Sequence, residues 1–283
     1  MTAAPAMAVM AALSNWDREN PAALFVGGCV RNALSGCAVD DVDIATIWTP
    51  QQTIEKLESV GIRAIPTGLE HGTVTAVADG VTFEITTLRR DVDTDGRRAV
   101  VAFTTDWSED AARRDFTMNT LLADGAGNVY DPTGKGLADL KAGRVVFVGA
   151  PAQRIAEDYL RILRFFRFHA LYGTDAPDEA GLAACGAASD KIIRLSRERI
   201  TQEMFRIIGA PDPATTLQIM FENNVMRDLP DHAYLPSALR QLCQLQYRYR
   251  APDNIARLAV IAGTNPSHIN RLEKYFIFSR QQA

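Results

Sequence analysis

Two aspartates one residue apart, Asp41 and Asp43, are the first residues here whose type and spacing could do chemistry. On an extended strand, residues i and i+2 project from one face. Asp41 and Asp43 would then stand side by side while Val42 turns into the core. Carboxylates that close repel one another and need a cation between them or a raised pKa. Their hard oxygens suit Mg2+, which keeps water and substrate phosphates as its other ligands. The plainer alternative is a solvated turn that also takes in Asp40. Glu84 lies in the alternating run Phe83-Glu84-Ile85-Thr86, where an acid is costly unless exposed or paired. As a third carboxylate beside Asp41 and Asp43 it would complete a two-metal site, which activates an attacking hydroxyl and neutralises a leaving pyrophosphate. An exposed hairpin face is the competing explanation. Gly27-Gly28-Cys29-Val30-Arg31 sits at a strand-to-helix junction. The glycines would let a phosphate approach the backbone at the start of a helix, with Arg31 one turn on. On the glycine pair alone, an ordinary glycine turn is the stronger explanation.

These residues need a small mixed scaffold. Leu24–Val26 reads as a strand and Cys29–Leu34 as a helix, and Val42 and Ile44 alternate with the aspartates. Thr73–Ala78 and Val81–Leu88 flank Asp79-Gly80, a type I′ hairpin signal. Val100–Phe103 is a further strand, and Asp93–Arg98 reads as a polar loop before it. The pattern predicts an α+β domain with antiparallel pairing. Beyond about Ala150 the reading is helical, with breaks at Gly173, Pro177, Gly209–Pro213, Pro230, Pro252 and Gly263–Pro266. One helix is expected from Gln153 to about Leu171, with Ile155, Tyr159, Ile162 and Phe166 as its apolar stripe. Asp158, Arg154, Arg161, Arg164 and Arg167 fall on the other side. Ion pairs at i+3 and i+4 are the plain account of such a face. Four arginines to one aspartate exceed what pairing needs, and an anionic ligand would take up the excess.

The 283 residues are 47% hydrophobic and 23% charged, which excludes disorder and collagen. The apolar stretch Ala3–Leu13 is too short to span a membrane and lacks a basic leader, so it reads as an N-terminal helix. No membrane partner and a cytoplasmic location are expected. Cys29, Cys37, Cys185 and Cys243 show no CxxC spacing and read as buried thiols. Net charge is −4, and the basic residues are 25 Arg against 5 Lys. A GC-rich genome explains that ratio, and so does contact with phosphate. Residues 1–150 carry a net −7 and residues 151–283 a net +3. An acidic half joined to an arginine-rich half suits a metal-using site beside an RNA-binding surface. Thr133-Gly134-Lys135-Gly136 lacks the spacing of a phosphate-binding P-loop.

Taken in order, Gly-Gly-x-x-Arg, Asp-x-Asp, the strand Glu84, Arg113-Arg114-Asp115-Phe116-Thr117-Met118-Asn119, Asp131-Pro132-Thr133-Gly134 with Asp139-Leu140, and the run from Glu157 to Phe168 form a recognisable set. From Leu24 to Leu229 the chain resembles the polymerase-β-like nucleotidyltransferases. It is most similar to the class II tRNA nucleotidyltransferase (CCA-adding) and bacterial poly(A) polymerase family. The resemblance implies an α+β nucleotidyltransferase head over 1–147, an all-α neck over 148–210 and a helical body over 211–283. It implies that Asp41 and Asp43 hold Mg2+, that Glu84 is the third active-site carboxylate, and that Gly27, Gly28 and Arg31 hold the triphosphate. Arg114 would contact the nucleotide, with Asp115 and Asn119 in the motif that recognises the ribose. Asp158 and Arg161 would read the incoming base, and Arg164 and Arg167 would add nucleotide contacts. An aspartate accepting from an exocyclic amine and an arginine donating to ring acceptors suit C and A over G and U. The implied activity is CCA addition to tRNA from CTP and ATP, and the segment 93–98 matches a loop the family needs for adding A. Asn32, where the family has Asp, and Thr120, where Ala is commoner, depart from the pattern. Against the family the body looks abbreviated. Arg194, Arg197, Arg199 and Arg206, with Tyr247, Arg248, Tyr249 and Arg250, are candidate RNA contacts or simply a solvated face. A poly(A) polymerase and a catalytically silent RNA-binding module are the alternatives.

Overall fold

A computed structural model of the chain describes residues 3–15, 17–95, 98–174, 176–225, 236–263, 272 and 276–278, with 91–95 and 98–101 described by backbone alone. The chain divides into two units, Met1–Ala142 with Val146–Gly149, and Gly143–Val145 with Ala150–Ala283.

The first unit is built on a seven-stranded sheet of order β3-β4-β5-β2-β1-β8-β9. Its strands are β1 (Ala23–Val26), β2 (Asp43–Thr46), β3 (Arg63–Gly68), β4 (Thr73–Ala78), β5 (Val81–Thr87), β8 (Leu122–Ala123) and β9 (Val129–Tyr130). The β4–β5 hairpin closes on Asp79 and Gly80, whose φ angles of 49° and 77° are the two positive values a type I′ turn requires. The expectation of antiparallel pairing needs one correction. β2 and β5 run parallel, with Asp43 opposite Glu84 and Ile44 opposite Ile85, while the sheet's other described ladders are antiparallel. The chain leaves β2 through α3 (Pro50–Ser59), β3 and β4 and re-enters beside it, the kind of crossover a parallel pair needs.

Alternation along the strands divides the two faces. Phe25, Ile44, Phe83 and Ile85 pack with Val9 and Leu13 of α1 (Ala4–Leu13) and with Leu57 of α3 in the larger core. Leu24, Val26, Ala45, Leu88 and Leu122 form a smaller cluster. A two-stranded ribbon, β6 (Arg89–Asp95) with β7 (Arg98–Phe103), leaves the end of β5. It corrects the expected polar loop at 93–98: pairing runs to Asp95 opposite Arg98, and Gly96 and Arg97 lie outside the described residues. Polar side chains do not prevent this, because the ladder bonds belong to the backbone.

The second unit is all-α: α6 (Pro151–Glu157), α7 (Leu160–Tyr172), α8 (Glu179–Ala187), α9 (Arg197–Ile208), α10 (Pro213–Glu222), α11 (Pro236–Tyr249) and α12 (Asn254–Ala262), with a 3-10 segment at Ser189–Arg194. The expected single helix over 153–171 is two helices. Asp158 is extended, at φ −154° and ψ 108°, and its carboxylate accepts from the Leu160 N–H at 3.1 Å. The side chain offers the backbone a partner outside the helical ladder, and the helix breaks there. Breaks also fall at Gly173, between α9 and α10, and at Pro252 as expected, whereas Pro230 and Pro266 lie outside the described residues. Arg257 of α12 is buried and donates to the carbonyls of Ile208 and Ala210 at 2.8 and 2.7 Å, satisfying backbone acceptors left over where α9 ends.

Cys29, Cys185 and Cys243 are buried, but Cys37 is exposed in the coil after α2 (Gly28–Leu34), correcting the expectation for that thiol. Among the described residues no helix is long and apolar enough to cross a membrane.

Candidate active site

Strand pairing brings the acidic residues together. Asp43 opens β2 in register with Glu84 of β5, and neighbouring strands lie roughly 4.8 Å apart. Ile44 and Ile85 fill the core on one face, so Asp43 and Glu84 project from the other. Asp43 is half-buried and Glu84 exposed. Asp41 sits in the coil two residues before β2 rather than on the strand as the alternation predicts, while Val42 packs against the larger core as expected. Burial pushes the Asp43 carboxyl above its ordinary value; the charges of Glu84 and then Asp41 add to this, and Arg114 opposes it. Among the described residues no three His, Cys, Asp or Glu side chains converge at metal-holding distance. What the backbone builds is an in-register pair with a third carboxylate close enough to be felt. An all-oxygen, mutually repelling donor set of this kind fits a hard divalent cation.

A glycine turn borders this face. Gly27 follows β1 with φ 66°, and a Cβ there would come within 3.2 Å of the Arg114 guanidinium. Arg31, one turn into α2, is buried and donates to Asn119 Oδ1 and, at 2.8 Å, to Asn32 Oδ1. Asn119 donates in turn to Asp115 Oδ1 at 2.9 Å, and the same oxygen accepts from the Phe116 N–H. Arg31, Asp115 and Asn119, far apart in sequence, thus share one polar network, and a Cβ at Gly28 would lie 3.8 Å from the Arg31 guanidinium. Asn32 is part of it, passing an N–H to the Ala38 carbonyl at 2.8 Å. Thr120, the other departure from the family pattern, is fully buried and donates to the Thr117 carbonyl at 2.7 Å. Thr117 donates to buried Asp139 at 2.7 Å, so the Asp131–Asp139 motif supports the 3-10 turn Thr117–Asn119 from beneath.

The sequence reading missed Asp110, on α4 (Trp107–Ala112). It is 3% exposed and accepts from Arg113 at 2.8 Å and from Arg114 at 2.9 Å. Burial pushes its carboxyl up, but Arg114 and Arg113 outweigh this and hold it below its ordinary value. The available signal was an acid three and four residues ahead of two arginines, the spacing of facing residues on a helix.

Several arginines of the helical unit are already occupied. Arg154 and Arg161 both meet Glu157, and Arg161 also donates to the Arg154 carbonyl at 3.0 Å. Asp158 holds Arg199 at 2.7 Å. Arg167 is buried with its guanidinium 3.1 Å from Glu203 of α9 and 4.8 Å from the Phe168 ring centroid. Arg164 lies over the same ring at 5.5 Å. Glu157 and Glu203 thus take up part of the excess of arginine over aspartate, and the break at Asp158 separates the residues of the expected face. Arg197 donates to the Phe276 carbonyl, while Tyr247 and Tyr249 are exposed. His71 offers its carbonyl to Arg89, and His169 is packed inside, where burial lowers its pKa.

A family model described as "Poly A polymerase head domain" matches residues 23–146, and one described as "Probable RNA and SrmB- binding site of polymerase A" matches 177–235. The mitochondrial CCA tRNA nucleotidyltransferase 1 of Mus musculus is 46% identical over 74% of this chain and 48% of its own length. The CCA-adding enzyme of Geobacillus kaustophilus is 34% identical over 81% of this chain and 56% of its own. The chain thus spans about half the length of the curated relatives it matches. The Bacillus stearothermophilus CCA-adding enzyme in complex with CTP superposes with a TM-score of 0.72 at 27% identity, over 96% of this chain and 66% of that one. The head motifs, the sheet that aligns them and these matches agree: the chain belongs to the CCA-adding tRNA nucleotidyltransferase and poly(A) polymerase family.

Proposed function

We propose that this chain is a template-independent RNA nucleotidyltransferase that adds CMP and AMP from CTP and ATP to tRNA 3′ ends. The observation that carries the reading is the in-register Asp43–Glu84 pair with Asp41 beside it, on a face bordered by Gly27 and Arg114. The names of the relatives, and the CTP bound to one solved neighbour, support the choice of substrates.

In this reading Asp41 and Asp43 hold Mg2+ and Glu84 completes the site, orienting the RNA 3′-hydroxyl. When bound, the metal supplies positive charge against the triphosphate. The hydroxyl gives up its proton to solvent as its oxygen bonds to the α-phosphorus, the bond to the bridging oxygen breaks, and pyrophosphate leaves. Gly27 and Gly28 keep the turn free of side chains, Arg31 and Arg114 bring positive charge to the phosphates, and Asp115 and Asn119 hold the ribose. Asp158 and Arg161 read the base. Each has a present partner, Arg199 and Glu157, which it exchanges for the base edge. Arg164 and Arg167 complete the nucleotide contacts. Head 1–147, neck 148–210 and body 211–283 is the division that goes with this reading, and a cytoplasmic location accompanies it.

The test mixes the full chain with tRNAs ending before, within and after CCA and with an unrelated RNA, then sequences the 3′ ends after supplying CTP and ATP. Addition confined to CCA on tRNA is the expected result. Long A tails on any RNA would assign the chain to poly(A) synthesis, and no addition at all would leave RNA binding as its activity.

A further inference from the structure

Asp110 is tied to more than an arginine pair. One carboxylate oxygen takes Nε and Nη2 of Arg114, at 3.1 and 2.9 Å. The other takes Arg113 at 2.9 Å and, at 3.3 Å, the backbone N–H of Arg89, the first residue of β6. The foot of the ribbon is closed by the Thr104 N–H on the Leu88 carbonyl at 3.0 Å, and Arg89 Nη1 reaches the His71 carbonyl at 2.8 Å. From Asp110 the Arg114 guanidinium extends to the Asn119 carbonyl at 3.4 Å and to the glycine turn, where Gly27 leaves it room. Two donors of one guanidinium on a single buried carboxylate oxygen restrain the direction of Arg114 as well as its distance. One buried carboxylate therefore sets both where the ribbon starts and where Arg114 points.

We infer that Asp110 is a positioning residue that locks the foot of the β6–β7 ribbon to Arg114, so that a displacement of the ribbon is delivered to the nucleotide-contacting arginine. The inference rests on Arg114 meeting the nucleotide, as proposed above. Asp110 itself touches no reacting atom. Its loss should loosen nucleotide binding and leave the chemical step largely intact, and the step that depends more on the ribbon should suffer more.

The experiment measures kcat and KM for CTP and ATP separately, on primers awaiting C and awaiting A, for the full chain and for Asp110→Asn and Asp110→Glu. Melting curves report folding, and equilibrium titration with CTP reports binding without turnover. Asp110→Asn should raise KM and weaken CTP binding about tenfold with kcat held within about threefold, and the shift should differ between the two steps. Asp110→Glu keeps the charge on a longer arm; it should recover part of the affinity, and it carries the test if the asparagine variant does not fold. Folded variants with unchanged KM and CTP affinity overturn the inference, as does a fall in kcat at constant KM. If the parent chain adds no nucleotide, the proposed function fails, and the CTP titration still decides the role of Asp110.

Discussion

The two halves of the chain use arginine differently. In the strand-built unit Arg31 meets Asn119, 88 positions away, through a side-chain amide, and Arg114 reaches back to a glycine turn. In the helix-built unit Arg154 finds Glu157 within one turn, Arg161 meets the same acid across the break at Asp158, and Arg167 and Arg199 find acids on a packed helix or at that break. A sheet gathers residues from distant segments onto one face, so chemistry-bearing side chains collect there. A helix surface offers its arginines acidic neighbours at i+3 and i+4 first. In the first unit arginine thus combines local pairing, as Arg113 and Arg114 do with Asp110, with reach to the sheet face, whereas in the second it is largely ion-paired.

The largest expected effect breaks the sheet side of this contrast. Asp43→Ala should lower nucleotide addition at least about a thousandfold, roughly 4 kcal/mol in the barrier, while RNA affinity in a gel-shift titration stays near that of the parent. Residual addition within tenfold would remove Asp43 from the catalytic set. Next comes the buried helical pair. Arg167→Ala removes the nearer partner of Glu203, 5% exposed at its side chain, and leaves it, among the described residues, only the exposed Arg206 at 3.7 Å; it should cost about 3 kcal/mol of stability in denaturant unfolding. Arg167→Met with Glu203→Leu should recover most of it, because replacing both charges leaves none buried alone. The smallest effect sharpens the contrast. Arg199 and Asp158 are about a third exposed, so Arg199→Ala should change stability by less than about 0.5 kcal/mol. It frees Asp158, so the ratio of C to A incorporation should move while the melting temperature does not. A fixed ratio would count against Asp158 as a base reader.

Much of the strand-built unit was legible because its signals are local. Asp79-Gly80 demanded a hairpin, Phe83 to Thr86 alternated as a half-buried strand does, and Val42 pointed inward between two acids. The parallel β2–β5 pairing was not legible, since it depends on where a long crossover returns. Asp110 was passed over because an acid ahead of two arginines looks like any surface ion pair until its burial is known. The helical half misled at Asp158, where the apolar periodicity continues across the break and only a carboxylate bonded to the Leu160 N–H shows the helix restarting. Nor could any wheel find Glu203, which meets Arg167 from another helix.

The parallel pairing of β2 with β5 also affects how such a chain can change. Asp43 and Glu84 are aligned by ladder hydrogen bonds, and the helix, strand and hairpin between them form a bypass outside that alignment. Residues inserted in or removed from the exposed connections of the bypass leave the two carboxylates facing one another. A single-residue slip of either strand turns one of them into the core. Across related sequences the number of residues separating these two acids is therefore free to drift, while the parity of each strand is not.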